Sequence, residues 1–176
     1  MQSDDCYGCL FCRVGSESTV LNAIQQGATG ISAMIPKKLR MNRHSSQAFV
    51  DEVILFPGYV FFKCERDFDI RVFNLIPGLY KVLKNSDGEW ELSGSDKDMV
   101  SSLFSSGGTI GFSKAYYEGN RIRIVEGALK GYESSIIRVN RRAKTAQVQL
   151  IFRGKTIHVW LGYELIELLP DGITSI

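Results

Sequence analysis

Alternation of apolar and polar residues on either side of Arg153-Gly154 constrains the fold of this chain more than any other feature. Thr145 to Phe152 and Lys155 to Leu161 both alternate with a period of two, which predicts two antiparallel strands joined by a two-residue turn. That turn fixes the register. It places Leu150 opposite Ile157, Val148 opposite Val159 and Ala146 opposite Leu161, while the other face carries Gln147 with Trp160 and Gln149 with His158.

The remainder of the C-terminal part has the same all-β character. Further short strands are predicted at Arg121 to Val125, Glu133 to Asn140 and Leu165 to Leu168, with turn residues between them. Five short strands within about 50 residues are typical of a small closed sheet. We therefore expect a five-stranded SH3-like β-barrel here.

The N-terminal part mixes the two kinds of element. Val20, Leu21 and Ile24 lie at helical spacing between Glu17 and Gly27, which predicts a short amphipathic helix. A second helix is predicted where Ser95 and Asp98 form a capping pattern, and Phe68 to Leu75 also has a helical pattern. Strands are predicted at Cys6 to Arg13, Ile31 to Pro36, Val53 to Phe62 and Leu79 to Leu83. The fold class predicted for this half is α+β, a sandwich with a four-stranded, mainly antiparallel sheet and flanking helices.

Two segments of this half depart from simple periodicity. Val53 to Phe62 is apolar without alternation, so both of its faces must be covered, by the protein or by a partner. Pro57 lacks an amide hydrogen and Gly58 weakens pairing, which favours a bulge or an edge strand over a regular interior strand. Lys37 to Gln47 is polar with no apolar period and is expected to be a mobile hairpin or loop.

Charge and composition both divide the chain near Gly107. Ser105 to Thr109 has the composition of a linker, and the formal net charge is −2 for residues 1–113 but +4 for residues 114–176. The predicted domains are residues 1–104 and 116–176, joined by a linker at 105–115. Such segregation is typical of a protein in which only one half contacts a polyanion. A solvated basic face is the alternative.

The basic charge concentrates around one turn. Arg138, Arg141, Arg142 and Lys144 suit phosphates or a bulged RNA helix, although cations at a turn are often only solubilising. Trp160, flanked by amides and cations, is a candidate base-stacking platform, or else a side chain covered by the linker or the other domain. The candidate RNA-binding residues are Lys130, Arg138, Arg141, Arg142, Lys144, Arg153, Lys155, His158 and Trp160.

No pattern in the chain predicts catalysis. Neither His44 nor His158 has a neighbouring carboxylate and nucleophile in a recognisable arrangement, and no phosphate-binding or dinucleotide-binding glycine motif occurs. We therefore expect a protein that is not an enzyme and has no cofactor. No apolar run approaches the roughly 18 residues that span a bilayer, and the first ten residues carry two Asp and no Lys or Arg. We expect a cytoplasmic protein that contacts no membrane.

The four cysteines allow a metal site or simple packing. Cys6, Cys9 and Cys12 are spaced as in cluster ligation, with Cys64 as a possible fourth ligand. Strand geometry instead sends Cys6 and Cys12 to one face and Cys9 to the other. Buried, reduced thiols are the favoured interpretation.

Two motifs resemble those of a known family. A pattern similar to a KOW motif comprises Gly119, Ile122, Ile124, Gly127, Leu129 and Gly131. Upstream, Phe56-Pro57-Gly58-Tyr59-Val60 and Ile76-Pro77-Gly78-Leu79 resemble the NGN domain of the NusG family of transcription elongation factors. The two occur in family order, and the resemblance covers almost the whole chain. It implies an NGN domain followed by a KOW barrel.

The resemblance also implies partners. NGN domains dock an apolar face on the β′ clamp helices of RNA polymerase and favour the pause-resistant closed clamp. Carried over by position, the polymerase-binding residues are Tyr7, Phe11, Phe56, Pro57, Tyr59 and Val82. In general family members an aromatic residue at the tip of the KOW loop contacts a ribosomal protein or Rho, and this chain has Leu129 there. The first strand has Cys6-Tyr7 where the family usually has Trp-Tyr. A monomer is expected.

Further residues resemble the LoaP subgroup, specialised paralogs that antiterminate long operons and recognise an RNA hairpin in the nascent leader transcript. They are Val139-Asn140-Arg141-Arg142-x-Lys144-x-Ala146, Leu161-Gly162-Tyr163-Glu164, Pro36-Lys37-Lys38 and Gly78-Leu79-Tyr80-Lys81. This implies operon-specific processive antitermination. A general NusG-like elongation and coupling adaptor, whose barrel binds protein, and a ribosome-associated KOW protein are the alternatives.

Overall fold

The protein folds into two α-helices, two 3₁₀ helices and thirteen strands within residues 5–27, 29–44, 47–169 and 172–175, which the computed structural model describes. The elements of the first part are β1 (Cys6–Cys12), α1 (Glu17–Gly27), β2 (Ile31–Met34), β3 (Lys37–His44), β4 (Gln47–Ile54), β5 (Tyr59–Cys64), a 3₁₀ helix (Ile70–Leu75), β6 (Leu79–Val82) and α2 (Gly94–Ser105). They are followed by β7 (Thr109–Ile110), β8 (Ser113–Glu118), β9 (Arg121–Glu126), a 3₁₀ helix (Glu133–Ser135), β10 (Ile136–Asn140), β11 (Thr145–Phe152), β12 (Lys155–Leu169) and β13 (Gly172–Ser175). The predicted α+β class is confirmed.

Strands β2, β5, β1 and β6 form a four-stranded sheet in that order, with every neighbouring pair antiparallel. This confirms the sheet predicted for the N-terminal half. Val20 and Ile24 of α1 are fully buried against one face of the sheet, as the helical spacing predicted. Cys6, Leu10 and Cys12 of β1 point into the same core, whereas Cys9 does not belong to it. The predicted division of the cysteines between two faces is confirmed.

The apolar run from Val53 to Phe62 is not one strand. The chain reverses at Leu55–Gly58, so that β4 ends at Ile54 and β5 begins at Tyr59. Because Pro57 lies in the turn, its missing amide hydrogen costs no sheet hydrogen bond. Strand β5 is then free to occupy an interior position between β2 and β1. The bulge or edge strand expected from Pro57 and Gly58 is therefore wrong.

Helix ends also differ from expectation. The segment predicted as helical from Phe68 forms a 3₁₀ helix whose N-cap, Asp69, accepts a hydrogen bond from the Arg71 amide. Helix α2 begins at Gly94, so Ser95 lies inside its first turn. Ser93 has the extended backbone of an N-cap residue, but its side chain makes no capping hydrogen bond. The predicted capping pair of Ser95 and Asp98 is therefore wrong.

The polar segment after Pro36 forms β3 and the start of β4, which pair with each other, so the hairpin of the two predicted alternatives is confirmed. Arg40 Nη2 contacts Asp51 Oδ2 at 2.7 Å, and Asn42 Nδ2 donates to the same oxygen at 3.2 Å. The Arg40 guanidinium lowers the pKa of the Asp51 carboxyl through this hydrogen bond. Polar cross-strand pairs thus replace the apolar alternation that ordinarily identifies a strand.

The remaining strands follow the order β10-β11-β12-β8-β9, with β13 paired to β12. The register predicted for β11 and β12 is confirmed at all five pairs, including Val148 opposite Val159 and Gln147 opposite Trp160. Strand β12 runs without interruption for 15 residues and pairs in parallel with β8. The sheet has six strands rather than the predicted five. No pairing in the described part of the chain closes this path into a barrel.

The chain divides into two compact units. The first unit comprises Met1–Lys37 and Ile54–Thr109, and the second comprises Lys38–Val53 and Ile110–Ile176, so most of the β3–β4 hairpin belongs to the second. Strand β8 begins at Ser113, inside the segment predicted as a linker. The domain limits at 104 and 116 stay a prediction. Within the described ranges, no helix is long and apolar enough to cross a bilayer.

Candidate functional site

The outer face of the second unit carries a row of polar and aromatic side chains. Arg138 of β10 pairs with Gln147 of β11, which pairs with Trp160 of β12. Residues directly opposite one another in antiparallel strands project to the same face. The three side chains therefore form one line across three strands. His158 lies two residues along from Trp160, with Nε2 at 3.4 Å from Gln149 Oε1.

Arg141, at the turn between β10 and β11, is held in place by other groups of this unit. Its guanidinium carbon lies 4.3 Å from the ring centroid of Tyr117, and Nη2 donates to the Asn120 carbonyl at 3.1 Å. The Tyr117 hydroxyl lies 2.6 Å from that of Tyr163. Burial, followed by this hydrogen bond, raises the pKa of the Tyr163 hydroxyl. Arg141 is consequently oriented before any ligand binds.

The other cations near this turn are exposed. Within the described residues, the exposed side chains of Arg138, Arg142 and Lys144 make no ion pair or hydrogen bond. Lys114 and Arg123, in the same unit, are instead neutralised by Glu126 at 2.8 Å and by Glu118 at 2.6 Å. The turn therefore presents a cluster of uncompensated positive charge, which suits phosphate binding.

The structure does not gather all nine predicted RNA-binding residues in one place. Arg153 and Lys155 lie at the opposite end of the β11–β12 hairpin, about 23 Å from the basic turn by the length of an eight-residue strand. Lys130 is exposed in the turn between β9 and β10, outside the row. Arg141, Arg142 and Lys144 belong to the basic turn, and Arg138 and Trp160 belong to the row on the strands that follow from it. We refer to these five residues as the basic strip.

A second candidate surface lies in the first unit, where three aromatic rings meet. The Phe11 ring lies 5.5 Å from that of Tyr59 and 5.6 Å from that of Tyr80. Phe11 and Tyr59 are half-buried neighbours on β1 and β5, and Pro57 is exposed beside them. We refer to Phe11, Pro57, Tyr59 and Tyr80 as the aromatic face. Its apolar rings are available to a protein partner.

A buried carboxylate holds the turn that carries this face. Glu17, at the start of α1, is 2% exposed, and its Oε1 accepts a hydrogen bond from the Gly58 amide at 2.7 Å. Its Oε2 accepts another from the Gly15 amide at 2.8 Å. Gly58 has a φ of +84°, and a Cβ there would lie 3.1 Å from the Cys12 carbonyl oxygen. Gly58 and Glu17 together fix the direction in which Pro57 and Tyr59 project.

Three of the six residues predicted to dock polymerase lie elsewhere. Tyr7 is buried beneath α2, where its hydroxyl accepts a hydrogen bond from Ser101 Oγ at 3.3 Å. Phe56 is buried with its ring edge-on to Phe61. Val82 pairs with Leu10 and so lies on the core face of the sheet, opposite to Phe11. The prediction of a single face that includes Val82 is wrong in this respect.

Tyr80, whose side chain is 62% exposed, is not among the polymerase-binding residues predicted from the sequence. The register between β1 and β6 shifts between Phe11 and Cys12, which places Phe11 opposite Lys81 and Cys12 opposite Leu79. Tyr80 is the additional residue of this bulge and turns toward Phe11. Simple alternation along β6 cannot anticipate that contact. An isolated exposed tyrosine beside the Pro77-Gly78 turn was the available signal.

Leu129 does not form an exposed loop tip. Its side chain is fully buried, and its amide donates to the equally buried Ser113 Oγ at 2.9 Å. The position at which the family resemblance implied a protein contact is therefore part of the core. Exposed apolar residues of this unit lie elsewhere, and they include Tyr132, Ile137 and Ile151.

The cysteines pack as small apolar side chains. All four are buried and unpaired by disulfides, and within the described residues no group of three or more metal-ligating side chains occurs. Burial raises the pKa of the Cys64 thiol to about 12, and it also raises the pKa values of Cys6 and Cys12. These thiols stay protonated at neutral pH, which suppresses their reactivity.

Iodoacetamide is therefore expected to leave the native protein almost unmodified at pH 8. A thiol with a pKa of about 12 is ionised to only about one part in 10⁴ at that pH. In urea the same treatment should modify all four cysteines, as intact-mass spectrometry would measure. Rapid alkylation of Cys64 in the folded protein would contradict the buried, protonated state.

Comparison with known proteins identifies the fold. No family model matches the chain, and no curated protein matches it. A solved structure of Thermotoga maritima NusG, from work on its domain interaction, matches with a TM-score of 0.53 and 16% sequence identity, covering 98% of this chain and 97% of that one. The chain has the NusG fold. The coverage extends this likeness over both compact units.

Proposed function

We propose that this chain is an operon-specific processive antitermination and elongation factor, which contacts RNA polymerase through its first unit and a nascent leader RNA hairpin through its second. The observation that carries the proposal is that the two units carry surfaces of different chemical character. One is aromatic and uncharged, and the other is basic with one prominent indole. A protein that holds a protein partner and a nucleic acid together needs surfaces of these two kinds.

The aromatic face supports the polymerase contact. Tyr59 and Phe11 lie in the unit with the NusG fold, next to the Pro57-Gly58 turn that resembles the NGN motif. Aromatic side chains dominate the energetics of protein interfaces because they bury large areas with few rotatable bonds. Burial raises the pKa of the Tyr59 hydroxyl, so Tyr59 is neutral at physiological pH. The β′ clamp helices are the proposed partner, by analogy with the family.

The basic strip supports the RNA contact. Arg141 is fixed by Tyr117, whereas Arg142 and Lys144 are free to follow phosphates. Trp160 lies at the end of the same row and offers a surface for an unpaired base. A hairpin supplies both a phosphate backbone and loop bases, which a fully paired helix does not. We therefore assign the hairpin to this unit, without a catalytic step or a cofactor.

In vitro transcription across an intrinsic terminator tests the proposal. The template would carry the leader recovered by crosslinking RNA to this protein in cells. We expect readthrough to rise only when both the protein and that leader are present. Tyr59→Ala should lower the affinity for polymerase about 30-fold, equivalent to about 2 kcal/mol, because it removes a central aromatic contact. Readthrough at limiting protein concentration should fall accordingly.

Leu75→Ala is the matched control for Tyr59→Ala. Leu75 lies in the same unit and is 89% exposed, but it is not part of the aromatic face. Its truncation should change neither polymerase binding nor readthrough. Unchanged termination with the intact protein and leader would refute antitermination. Equal effects of Tyr59→Ala and Leu75→Ala would refute the assigned polymerase contact.

The alternative function is a general elongation and coupling adaptor whose second unit binds a protein, such as a ribosomal protein or Rho. Exposed Ile137 and Ile151 favour it, because apolar side chains on a surface often mark protein contacts. The buried position of Leu129 weighs against it. The two functions differ in what the basic strip does, which the charge substitutions below distinguish.

A further inference from the structure

A cavity of about 390 Å³ lies within the second unit, beside the basic strip. Its wall includes Lys38 and Arg40 from β3, Lys144 from the basic turn, and Phe112 and Trp160. The volume falls within the range of about 300 to 1,000 Å³ that is usual for small-molecule sites. The cavity therefore joins cations and aromatic rings from distant parts of the sequence.

The β3 wall is attached directly to the strand that bears Trp160. Lys38 Nζ donates to the Trp160 carbonyl oxygen at 2.6 Å, 122 positions away in the sequence. Burial lowers the pKa of the Lys38 ammonium, and the nearby Arg40 lowers it further. A half-buried ammonium is stabilised by a nearby anion, because the anion offsets the cost of desolvation.

The opposite wall is shaped by a glycine. A Cβ on Gly162 would lie only 2.4 Å from the Phe112 ring, so the ring rests directly on the β12 backbone. Gly162 and Trp160 project to the same face of β12, because they are two residues apart in the strand. Phe112 and Trp160 therefore line the cavity from neighbouring positions on one face.

We propose that this cavity takes one unpaired nucleotide of the bound RNA, with the base against Trp160 and Phe112 and its phosphate between Lys38 and Lys144. This inference rests on the proposed function and deepens it, because it specifies a flipped-out nucleotide where the basic strip alone requires only a charged backbone. Aromatic walls accept any base by stacking, and the cations recognise the phosphate. Glu164, which also lines the cavity, can accept a hydrogen bond from a base amino or imino group.

Titration of the ¹⁵N-labelled full-length protein with nucleoside 5′-monophosphates tests this site. The chain has two tryptophans, Trp90 and Trp160, whose indole N–H signals report the first and second units separately. We expect AMP, CMP, GMP or UMP to shift the Trp160 signal saturably, and the Trp90 signal to stay in place. Ribose 5-phosphate and inorganic phosphate, which lack a base, should bind at least fivefold more weakly.

Three methionine variants locate the binding. Lys38→Met and Lys144→Met retain the length of the side chain but remove a cavity cation, and each should weaken the best monophosphate at least fivefold. Lys84→Met removes an exposed cation of the first unit and should have no effect. The proposal is overturned if no monophosphate moves the Trp160 signal, if ribose 5-phosphate binds equally well, or if Lys38→Met matches Lys84→Met.

A separate RNA-binding measurement tests the proposed function. RNA enriched from a random pool by the full-length protein should bind in a manner sensitive to Arg142→Ala, and Arg142 lies outside the cavity wall. If the enriched RNA still binds but no monophosphate does, the cavity proposal alone is refuted. If the protein binds neither the monophosphates nor any RNA from the pool, the cavity proposal and the proposed RNA contact are both refuted.

Discussion

Replacing Arg141, Arg142 and Lys144 together with alanine is expected to lower RNA affinity about 100-fold. Each charge-assisted phosphate contact contributes about 1 kcal/mol or more, and every 1.4 kcal/mol is tenfold in affinity. Loss of three contacts should also lower the slope of log affinity against log salt concentration by about 2 to 3. Filter binding or fluorescence anisotropy with the enriched RNA would measure both quantities, over a range of about 50 to 300 mM salt.

The control is a variant of equal net charge, with Arg71, Lys81 and Lys84 replaced by alanine. These three cations are exposed in the first unit. If RNA binds to the basic strip, this variant should keep both its affinity and its salt slope. Equal losses in the two variants would indicate non-specific attraction to net positive charge. Full RNA binding by the first variant would instead favour the adaptor function.

Glu17→Ala is expected to destabilise the first unit by about 3 kcal/mol. The substitution leaves the buried amide of Gly58 without an acceptor, which costs about 1 to 3 kcal/mol, and it removes a charge-assisted hydrogen bond from the amide of the exposed Gly15. Glu17→Gln keeps one acceptor oxygen but turns an NH₂ group toward the second amide. It should therefore lower the free energy of unfolding by at least half as much as Glu17→Ala. Glu65→Ala, at an exposed carboxylate, should be neutral.

Urea unfolding followed by Trp90 fluorescence measures this effect, in a Trp160→Phe background so that only the first unit reports. The Trp90 ring stacks on Phe62 at 5.4 Å, which makes its emission sensitive to that core. A midpoint for Glu17→Ala equal to that of Glu65→Ala would show that Glu17 does not hold the turn. Weakened polymerase binding at concentrations of urea where the variant stays folded would show that Glu17 also positions Tyr59.

Short-range patterns predicted the parts of the fold that obey a single period. The register of β11 and β12 followed from alternation and a two-residue turn, and α1 followed from apolar spacing of three and four residues. The polar pairs of β3 and β4, such as Arg40 with Asp51, give no apolar period, so the sequence could not decide between a hairpin and a loop there. The turn at Pro57 escaped prediction for the opposite reason, because apolar residues continue on both sides of it.

The sequence predicted which residues form the candidate sites better than it predicted where they lie. The cations of the basic turn and Trp160 could be identified because charge and aromatic residues cluster along the sequence. The burial of individual side chains could not be predicted from the sequence. Tyr7 and Phe56 were therefore predicted to lie on a surface, although α2 and Phe61 cover them. Lys38 and Phe112 meet Trp160 only in the folded chain, across separations that no local pattern records.

The uninterrupted β12 strand has a consequence for how the second unit loses its structure. Its 15 residues pair successively with β11, β8 and β13, so one segment of backbone joins the two hairpins and the final strand. Detaching β8 and β9 would leave residues 163–165 of β12 unpaired, directly beside the residues that pair with β11. Local opening in this unit therefore spreads along β12, and we expect the row containing Trp160 to melt together with the rest in a single cooperative step.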